Sequence, residues 1–416
     1  MTRSRAGRGI KIPAMNTRRS APLFVGFALL VSACGSNADR PSTGDLDAVW
    51  TFADQQLTRA SASIPASRHA RSTGADGRWT TVPASDWTSG FYAGCLWLMH
   101  DQTGQAAWRT RAEAQTADLE SQKNNTQDHD VGFRLMASYG NGLRLTGAPA
   151  YREVLLTGAR SLATRFDPDA GCLRSWSWGS WSFPVIIDNM MNLELLFWAA
   201  ENGGDPSLRE IAVSHALRTR ENHVRPDGGT YHVVDYDPQT GVVLKRQTHQ
   251  GRADDSTWAR GEAWALYGFT VVYRHTKDAR FLDTATRVAD YVIAHRPADS
   301  VPYWDYSAPA TEPRDTSAAA IAASGLLELS THVPSPAKER YRDAAAEMLR
   351  SLASRTYLAE GSPSAGILLH GTGHKPGGTE IDVSLIYGDY YFLEALLRYR
   401  RGVPAAAAAA RPSTAP

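Results

Sequence analysis

The stretch IIDNMMNLELLFWAAENGG, residues 186–204, has the pattern of a helix that is apolar on nearly every side and begins at an acid, Asp188. A helix that is hydrophobic all round is buried, whereas a surface helix keeps one polar face. Two further stretches have the same form, DHDVGFRLMASYG at residues 128–140 and DDSTWARGEAWALYG at residues 254–268. The chain therefore repeatedly places a carboxylate where a buried helix begins.

Amphipathic helices with one charged face alternate with these buried ones. Six helices of each kind predict an all-α fold in which an inner ring of buried helices is wrapped by an outer ring, an (α/α)6 barrel. An open helical solenoid is the alternative architecture. The amphipathic helices are predicted in residues 46–61, 105–122, 151–166, 206–223, 278–296 and 337–355, and the buried ones begin at Asp86, Asp128, Asp188, Asp255, Asp315 and Asp382.

The composition is that of an ordinary globular protein without a strong charge. Of the 416 residues, 43% are hydrophobic and 21% are charged, which suits a chain with a sizeable core. The formal net charge is +1, so no overall field attracts nucleic acid, and we expect no nucleic-acid partner. Twelve Trp and sixteen Tyr are many, and aromatic faces suit sugar rings as well as cores.

The N-terminus has the pattern of an export signal. A basic segment, NTRRS, precedes the apolar run APLFVGFALLV, and the tetrapeptide VSAC ends at Cys34 in the manner of a bacterial lipobox. We expect a signal peptide over residues 1–34, lipidation of Cys34, a flexible tether over 35–44, a catalytic domain over 45–402 and a disordered tail over 403–416. The mature protein is then exported from a bacterial cell, periplasmic or attached to a membrane only through this lipid.

The two remaining cysteines lack the spacing of a metal site. Cys95 and Cys172 have no Cys or His neighbour at metal-ligand spacing, so no metal site is expected. A disulfide between them is possible in an oxidising compartment, but a buried free thiol is favoured for Cys95 because it lies mid-helix.

The sequence has two possible starts of translation, Met1 and Met15.

Two of the acids differ from ordinary helix caps. An Asp at a helix start commonly binds free backbone N–H groups, and we read Asp86, Asp128, Asp255, Asp315 and Asp382 in this way. In a barrel, however, the starts of all inner helices open onto one end of the central cavity, so Asp130 and Asp188 are expected to meet there. Two carboxylates in a dry pocket push their pKa values apart, which gives a neutral acid and an anion suited to proton transfer.

Polar and aromatic residues are expected around this pair. Arg260 and Trp264 are four residues apart and therefore share one helix face. An Arg beside aromatic platforms can hold an anionic sugar, with two hydrogen bonds to its carboxylate and the ring stacked on an indole. The candidate sugar-binding residues are Trp87, His129, His232, Gln250, Trp258, Arg260 and Trp264.

Four motifs in this order resemble those of the unsaturated glucuronyl hydrolases, glycoside hydrolase family 88, whose fold is an (α/α)6 barrel. They are HDVGF at 129–133, IDNMMNLELL at 187–196, QGRADDSTWARGEAWALYG at 250–268 and EIDVSLIYGDYYFLEALL at 380–397. The resemblance runs from about Trp50 to Arg398. The related unsaturated rhamnogalacturonyl hydrolases share the barrel, but typically lack HDVGF and have Gly where this chain has Ala263.

The resemblance implies a role for each matching residue. Asp188 corresponds to the general acid and base, Asp130 to a second essential carboxylate, and the candidate residues above to the lining of the sugar site. The loop LLHGTGHKPGG corresponds to one that contacts ring substituents or the adjoining sugar, where Lys375 meets sulfate. No metal or organic cofactor is implied.

The implied reaction is hydration of the vinyl ether in the non-reducing 4,5-unsaturated uronic acid that polysaccharide lyases leave. Asp188 gives a proton to C4, water attacks C5, and the hemiketal opens and expels the remaining saccharide. Three alternatives are an unsaturated rhamnogalacturonyl hydrolase, a sugar epimerase that uses His129 and His232, and a glycan-binding surface lipoprotein without catalysis. The aglycone, its sulfation and the oligomeric state are left open.

Overall fold

The computed structural model describes residues 43–402. The predicted signal peptide, Cys34, the tether up to residue 42 and the tail over 403–416 lie outside these residues. The first helix begins at Thr43, so the last two residues assigned to the tether belong to the domain.

Helices make up most of the described chain. They are numbered in chain order, and a π-helical turn, Met136–Gly140, separates the fourth from the fifth. The α-helices are α1 (Thr43–Ser63), α2 (Ser89–Thr103), α3 (Ala106–Ala117), α4 (Val131–Leu135), α5 (Asn141–Thr146), α6 (Pro149–Ala163), α7 (Asn189–Glu201), α8 (Ser207–Asn222), α9 (Ala259–Thr276), α10 (Ala279–His295), α11 (Thr316–Leu329), α12 (Ala337–Leu352) and α13 (Ile386–Arg401).

The inner helices form a closed ring. It consists of α2, the broken helix α4–α5, α7, α9, α11 and α13, each packed against the next, and α13 packs against α2. The six predicted amphipathic helices are the outer layer, α1, α3, α6, α8, α10 and α12. The (α/α)6 barrel is thereby confirmed, and ring closure excludes the open solenoid.

Glycines let neighbouring inner helices approach closely enough to close this ring. A Cβ added at Gly90 in α2 would lie 2.3 Å from the carbonyl oxygen of Arg134. A Cβ added at Gly132 in α4 would lie 2.6 Å from the Cα of Asn192 in α7. Close-packed interiors cannot absorb such overlaps without backbone shifts. The small residues in the buried helices are therefore required by the ring.

The predicted helix starts are right for two of the six acids, because Asp188 and Asp315 are the N-cap residues of α7 and α11. The helix predicted from Asp128 begins later, with Asp130 as the N-cap residue of α4, and the Asp128 carboxylate accepts the backbone N–H of Asp130. Asp86 lies three residues before α2, where its carboxylate accepts the backbone N–H of Thr88. The cap interpretation was wrong for two acids: Asp255 lies in an exposed turn before α9, and Asp382 belongs to a strand before α13.

Short antiparallel strands precede the starts of inner helices and therefore lie at the open end of the barrel. Between α8 and α9, β6 (Val233–Tyr236) and β7 (Val243–Gln247) form a hairpin, which β5 (Pro184–Ile186) extends to three strands. The hairpin of β8 (Gly371–His374) and β9 (Thr379–Val383) was not predicted from the sequence. The strands are β1 (His69–Thr73), β2 (Trp79–Val82), β3 (Phe166–Asp167), β4 (Cys172–Leu173), β5 (Pro184–Ile186), β6 (Val233–Tyr236), β7 (Val243–Gln247), β8 (Gly371–His374) and β9 (Thr379–Val383).

Buried charges at the other end of the barrel are paired. Arg398 in α13 lies 3.0 Å from Glu328 in α11, and Arg274 in α9 binds Glu328 and Glu194. Such pairing is needed because an isolated buried charge is costly. Cys95 and Cys172 are buried free thiols. None of the described helices is both long and apolar enough to cross a membrane.

Candidate active site

A cavity of about 300 Å³ opens at the strand-covered end of the barrel. It is bounded by the starts of α4, α7 and α9 and by the hairpin β8–β9. Six of the predicted residues line it, so the structure brings together side chains from four distant segments of the chain. They are Trp87, His129, Asp130, Asp188, Gln250 and Arg260.

Three other predicted residues support this lining from behind. The His232 Nε2 atom lies 3.8 Å from the Asp188 Oδ2 atom. The Trp258 ring packs between His232, at 4.6 Å between ring centroids, and the Arg260 guanidinium, at 4.5 Å. Trp264 is fully buried and packs against Phe133. These aromatic residues position the polar groups of the cavity.

The carboxyl groups of Asp130 and Asp188 do not cap their own helices. Both residues occupy N-cap positions, yet neither side chain accepts a backbone N–H of the helix that follows. Asp315, in the corresponding position of α11, accepts the backbone N–H of Ser317. The two acids expected to meet in the cavity thus differ from the ordinary cap.

Asp188 is a carboxyl group poised to change its protonation near neutral pH. Only 9% of the residue is exposed, and burial raises its pKa to about 7. The positive charge of Arg260 and the indole of Trp264 oppose this shift. The Asp188 Oδ2 atom is buried on the side of His232 and has no hydrogen-bond partner among the described residues.

Asp130 also favours its neutral form. Burial raises its pKa well above the usual value, and Asp128 adds to the shift. Its Oδ1 atom lies 3.3 Å from the Nε2 atom of His129. The sequence predicted that repulsion between Asp130 and Asp188 separates their pKa values. The main cause is instead the burial of each carboxyl group. For Asp130, the repulsion from Asp188 contributes less to the raised pKa than burial does and less than the repulsion from Asp128.

The protonation of His232 follows from its hydrogen bonds. Its Nδ1 atom accepts the backbone N–H groups of His249 and Gln250, each at 3.1 Å. A nitrogen that accepts two hydrogen bonds carries no hydrogen, so the neutral ring has its hydrogen on Nε2, which faces Asp188. Burial also holds the pKa of His232 well below its usual value. His232 is therefore a neutral N–H donor.

Arg260 already has an anionic partner inside the protein. One Nη atom lies 2.9 Å from Asp315, and both Nη groups donate to backbone carbonyls of Thr372 and Gly373 in β8. These contacts use three of the five guanidinium N–H groups, both on Nη1 and one on Nη2. The Nε–H and the second Nη2–H have no partner among the described residues, so the predicted two-point contact with a sugar carboxylate stays a prediction. Arg260 also fixes the hairpin β8–β9 over the cavity, where Gln250 helps by donating to the Gly373 carbonyl.

Lys375 is not brought to the cavity. It lies in the turn between β8 and β9, and its Nζ atom is 3.0 Å from Glu312. The residue is partly exposed and does not line the cavity. Its contact with sulfate stays a prediction.

Several lining residues escaped the sequence analysis. Arg71 in β1 lies 2.8 Å from Glu380 in β9 and 2.7 Å from Asp86, and no local pattern marks it. The tryptophan-rich segment RSWSWGSW at 174–181 is a signal from which Trp176 and Trp178 could have been predicted. Gly373 and His374 belong to the loop LLHGTGHKPGG, which was predicted to contact the substrate. The lining residues that were not predicted are Arg71, Trp176, Trp178, Ile186, His249, Thr379, Glu380 and Tyr387.

The arrangement suits proton transfer to a bound sugar. The pKa of Asp188 is about 7, the pKa of Asp130 is raised as well, and the neutral imidazole N–H of His232 faces Asp188. General acid catalysis works best when the pKa of the acid lies near the working pH. Within residues 43–402, no group of three or more His, Cys, Asp or Glu side chains is placed to hold a metal ion.

This chain is similar in sequence and structure to one group of enzymes. The profile of Glycosyl Hydrolase Family 88 matches residues 62–391. An unsaturated glucuronyl hydrolase of Formosa agariphila is 44% identical over 325 residues, which are 76% of this chain and 80% of that protein. A crystal structure of an unsaturated glucuronyl hydrolase specific for heparin has a TM-score of 0.84 and 42% identity, covering 86% of this chain and 98% of the other.

A third relative was solved with a bound saccharide. It is a mutant of the unsaturated glucuronyl hydrolase of Streptococcus agalactiae complexed with dGlcA-GalNAc6S. It has a TM-score of 0.76 and 31% identity, and the match covers 87% of this chain and 93% of that one.

The buried carboxyl of Asp188 should cost stability at high pH. Since its pKa in the folded protein lies above the ordinary 3.8, the cost is absent below about pH 4, grows between pH 4 and 7, and is complete above pH 7. We expect Asp188→Asn to raise the free energy of unfolding above pH 7 by the order of a few kcal/mol and to change it little at pH 4. Denaturant titrations at several pH values measure this difference. The exposed Asp255→Asn is the control, and an equal effect of both variants at pH 8 would contradict the assignment.

Proposed function

This chain belongs to glycoside hydrolase family 88, and we propose that Asp188 supplies the proton for its reaction. The enzyme is a glycosidase that releases the non-reducing 4,5-unsaturated glucuronic acid from lyase-generated oligosaccharides, such as those of glycosaminoglycans. The observation that carries the proposal is a carboxyl group with a pKa of about 7 in the lining of the cavity.

The first step is protonation of the sugar. The C4=C5 double bond is an enol ether, because the ring oxygen is attached to C5, and its electron density is highest at C4. The O–H bond of protonated Asp188 breaks as a C–H bond forms at C4, which leaves an oxocarbenium ion shared by C5 and the ring oxygen. The anion of Asp188 is then stabilised by the His232 N–H and by the nearby charge of Arg260.

The second step adds water. Asp188, now a base, takes one proton of a water molecule as its oxygen bonds to C5, so the carboxyl group is regenerated. The product is a hemiketal at C5. It opens to a ketone, and the hemiacetal left at C1 then releases the remaining saccharide. Over the cycle one water is consumed, and Asp188 ends in its starting state.

The uronate carboxylate has one natural anchor in the cavity. The Arg260 Nε–H and one Nη2–H lack a partner, and the guanidinium is held by Asp315 and the β8 carbonyls. Charge-assisted hydrogen bonds from these two groups would place the sugar with C4 toward Asp188. The raised pKa of Asp130 reduces the negative charge beside the anionic substrate.

Replacing Asp188 tests its role directly. Asp188→Asn keeps the shape of the side chain but cannot give a proton, so we expect kcat to fall by about 100- to 10,000-fold while substrate still binds. Turnover is followed by the loss of ultraviolet absorbance of an unsaturated disaccharide.

In the native enzyme, kcat/KM should decline as the pH rises past about 7, because Asp188 loses its proton there. In D2O one deuterium should appear at C4, and deuterium at no sugar carbon would rule out this mechanism.

The next sugar of the chain has an aromatic platform at the cavity rim. Trp176 and Trp178 are stacked with ring centroids 4.6 Å apart and planes within 12°. Trp178 is 52% exposed, which is unusual for so large an apolar side chain, whereas Trp176 is almost covered. Since one face of Trp176 is taken by Trp178, we propose that the outer face of Trp178 stacks against the aglycone.

The Trp178 platform should affect binding rather than chemistry. Trp178→Ala is expected to raise KM for unsaturated disaccharides about tenfold, which corresponds to the order of 1 kcal/mol of lost stacking, with kcat little changed. Trp178→Phe should restore most of the affinity. The control is Leu244→Ala, which removes another exposed apolar side chain of the same region. Equal KM values for native enzyme and Trp178→Ala would remove Trp178 from the aglycone site.

We also propose that the enzyme is exported and attached to a membrane through a lipid on Cys34. The support is the basic segment, apolar run and VSAC ending of the N-terminus. In a bacterium that produces the full chain, radioactive palmitate should label the protein, and activity should sediment with membranes. Cys34→Ser should abolish the label and the sedimentation without lowering specific activity. Unlabelled native protein in the soluble fraction would contradict lipidation.

A further inference from the structure

Glu262 is a buried carboxyl group that the proposed reaction does not use. It lies in the WARGEAW segment at residues 258–264, in the first turn of α9, and none of its surface is exposed. Its Oε2 atom accepts the hydroxyl of Thr230 at 2.7 Å, and its Oε1 atom has no hydrogen-bond partner among the described residues. An apolar side chain would fill the same space without the cost of removing a carboxyl group from water. Packing alone therefore does not account for Glu262.

Thr230 begins the short segment that brings His232 to Asp188. Two residues after Thr230, the backbone carbonyl of His232 accepts the N–H of Ile187 at 3.0 Å, directly before Asp188 in the chain. The His232 Nε2 atom lies 3.8 Å from Asp188 Oδ2 and has no hydrogen-bond partner among the described residues. Segment 230–232 thus lies between Glu262 on α9 and the acid at the start of α7.

The backbone of this segment sets the distance between the His232 ring and Asp188. The ring itself is held by the backbone N–H groups of His249 and Gln250, which both donate to Nδ1 and so determine the tautomer. How close the Nε2–H comes to Asp188 then depends on where the backbone of residues 230–232 lies. The Thr230 hydroxyl joins this backbone to α9, the helix that also carries Arg260.

We propose that Glu262 is a positioning residue: its hydrogen bond to Thr230 holds segment 230–232 against α9 and thereby keeps the His232 Nε2–H directed at Asp188. After Asp188 has given its proton to the sugar, this N–H stabilises the anion. The catalytic consequence rests on the proposed function, whereas the placement of the His232 ring does not.

This role needs an oxygen acceptor and not a negative charge. Burial raises the pKa of Glu262 to about 8, although the Thr230 hydroxyl and the charge of Arg225 oppose the shift. A neutral carboxyl group still has a carbonyl oxygen that accepts the Thr230 hydroxyl, and a glutamine has an equivalent one. The charged and titratable groups that face Glu262 are Arg225, Asp227, Tyr291 and Tyr306, and those that face Asp188 are Asp130, His232 and Arg260.

Thr230→Val tests the contact because it removes the hydroxyl and keeps the shape of the side chain. We expect kcat for an unsaturated disaccharide to fall about tenfold, the loss from weakening one hydrogen bond to a charged group. KM should change little, because His232 does not line the cavity. The alkaline limb of kcat/KM should move to higher pH, since the anion of Asp188 is less stabilised. A merely structural role would lower the free energy of unfolding and leave the limb in place.

Two variants of Glu262 separate its hydrogen bond from its charge. Glu262→Met removes the acceptor and should behave like Thr230→Val, and the double variant should be no worse than either single one, since both break the same bond. Glu262→Gln keeps an acceptor and should retain kcat near the native value. If Glu262→Gln lost as much activity as Glu262→Met, the hydrogen bond would not be what matters, and the proposal would be wrong.

The matched control is Thr270→Val, the same change at another buried threonine of α9. The Thr270 hydroxyl donates to the Leu266 carbonyl of its own helix at 2.8 Å and does not reach segment 230–232. This variant should keep the native kcat and pH profile. An equal shift of the alkaline limb in Thr270→Val and Thr230→Val would mean that any loosening of α9 has this effect, and Glu262 would have no special role.

Nitrogen NMR of the full enzyme with nitrogen-15-labelled histidine follows His232 without substrate. Its signals are identified by their loss in His232→Gln, and we expect a pyridine-type Nδ1 and a pyrrole-type Nε2. The Nε2 signal should move in Thr230→Val and stay in place in Thr270→Val. An Nε2 signal unchanged by Thr230→Val would overturn the proposal. If the native enzyme failed to cleave unsaturated disaccharides, the proposed function would be wrong and this spectrum would still decide the role of Glu262.

Discussion

Burial of one carboxyl group is the constraint on which the site depends. Asp188 begins α7, one of the buried helices of the inner ring, so its side chain leaves water when the barrel forms. The neutral form is favoured there, and the pKa rises to about 7. The fold therefore supplies the acid, because the same residue at an exposed helix start would be ionised at neutral pH.

The barrel could be predicted from sequence because its two kinds of helix differ in a local and periodic property. A helix such as α7 is apolar on all sides, and one such as α10 has a polar face. The sequence of each helix therefore indicates whether it belongs to the inner or the outer ring. The starts of the helices were less certain. Asp382 precedes an apolar helix as Asp188 does, but it belongs to β9, whose pairing with β8 depends on residues far from the helix. Cap patterns are local, whereas strand pairing is not.

Site residues could be predicted where the position within a single helix places the side chain in the cavity. They could not be predicted where a contact between two distant elements decides the role of the residue. Asp130 and Asp188 were identified because the start of a buried inner helix places them. The partner of Arg260 was not, because Asp315 lies 55 residues away and had been read only as a helix cap. Asp315 does cap α11 with one oxygen, and its other oxygen binds Arg260. A helix-cap pattern accounts for one oxygen of the carboxylate and does not predict the partner of the other oxygen. The same reason hid Arg71, whose role follows only from Glu380 and Asp86.

The histidines separate hydrolysis from epimerisation on this barrel. An epimerase needs two residues that remove and return protons on opposite sides of a sugar. His232 cannot remove one, because its Nδ1 is occupied by two backbone N–H groups and its Nε2 already carries a hydrogen. His129 faces Asp130 with its Nε2, and its pKa of about 3 makes it a poor base. The pKa of Asp188, by contrast, is about 7. A single residue that first gives and then takes a proton matches hydration of a double bond, in which one carbon receives the proton and its neighbour receives the water that returns one.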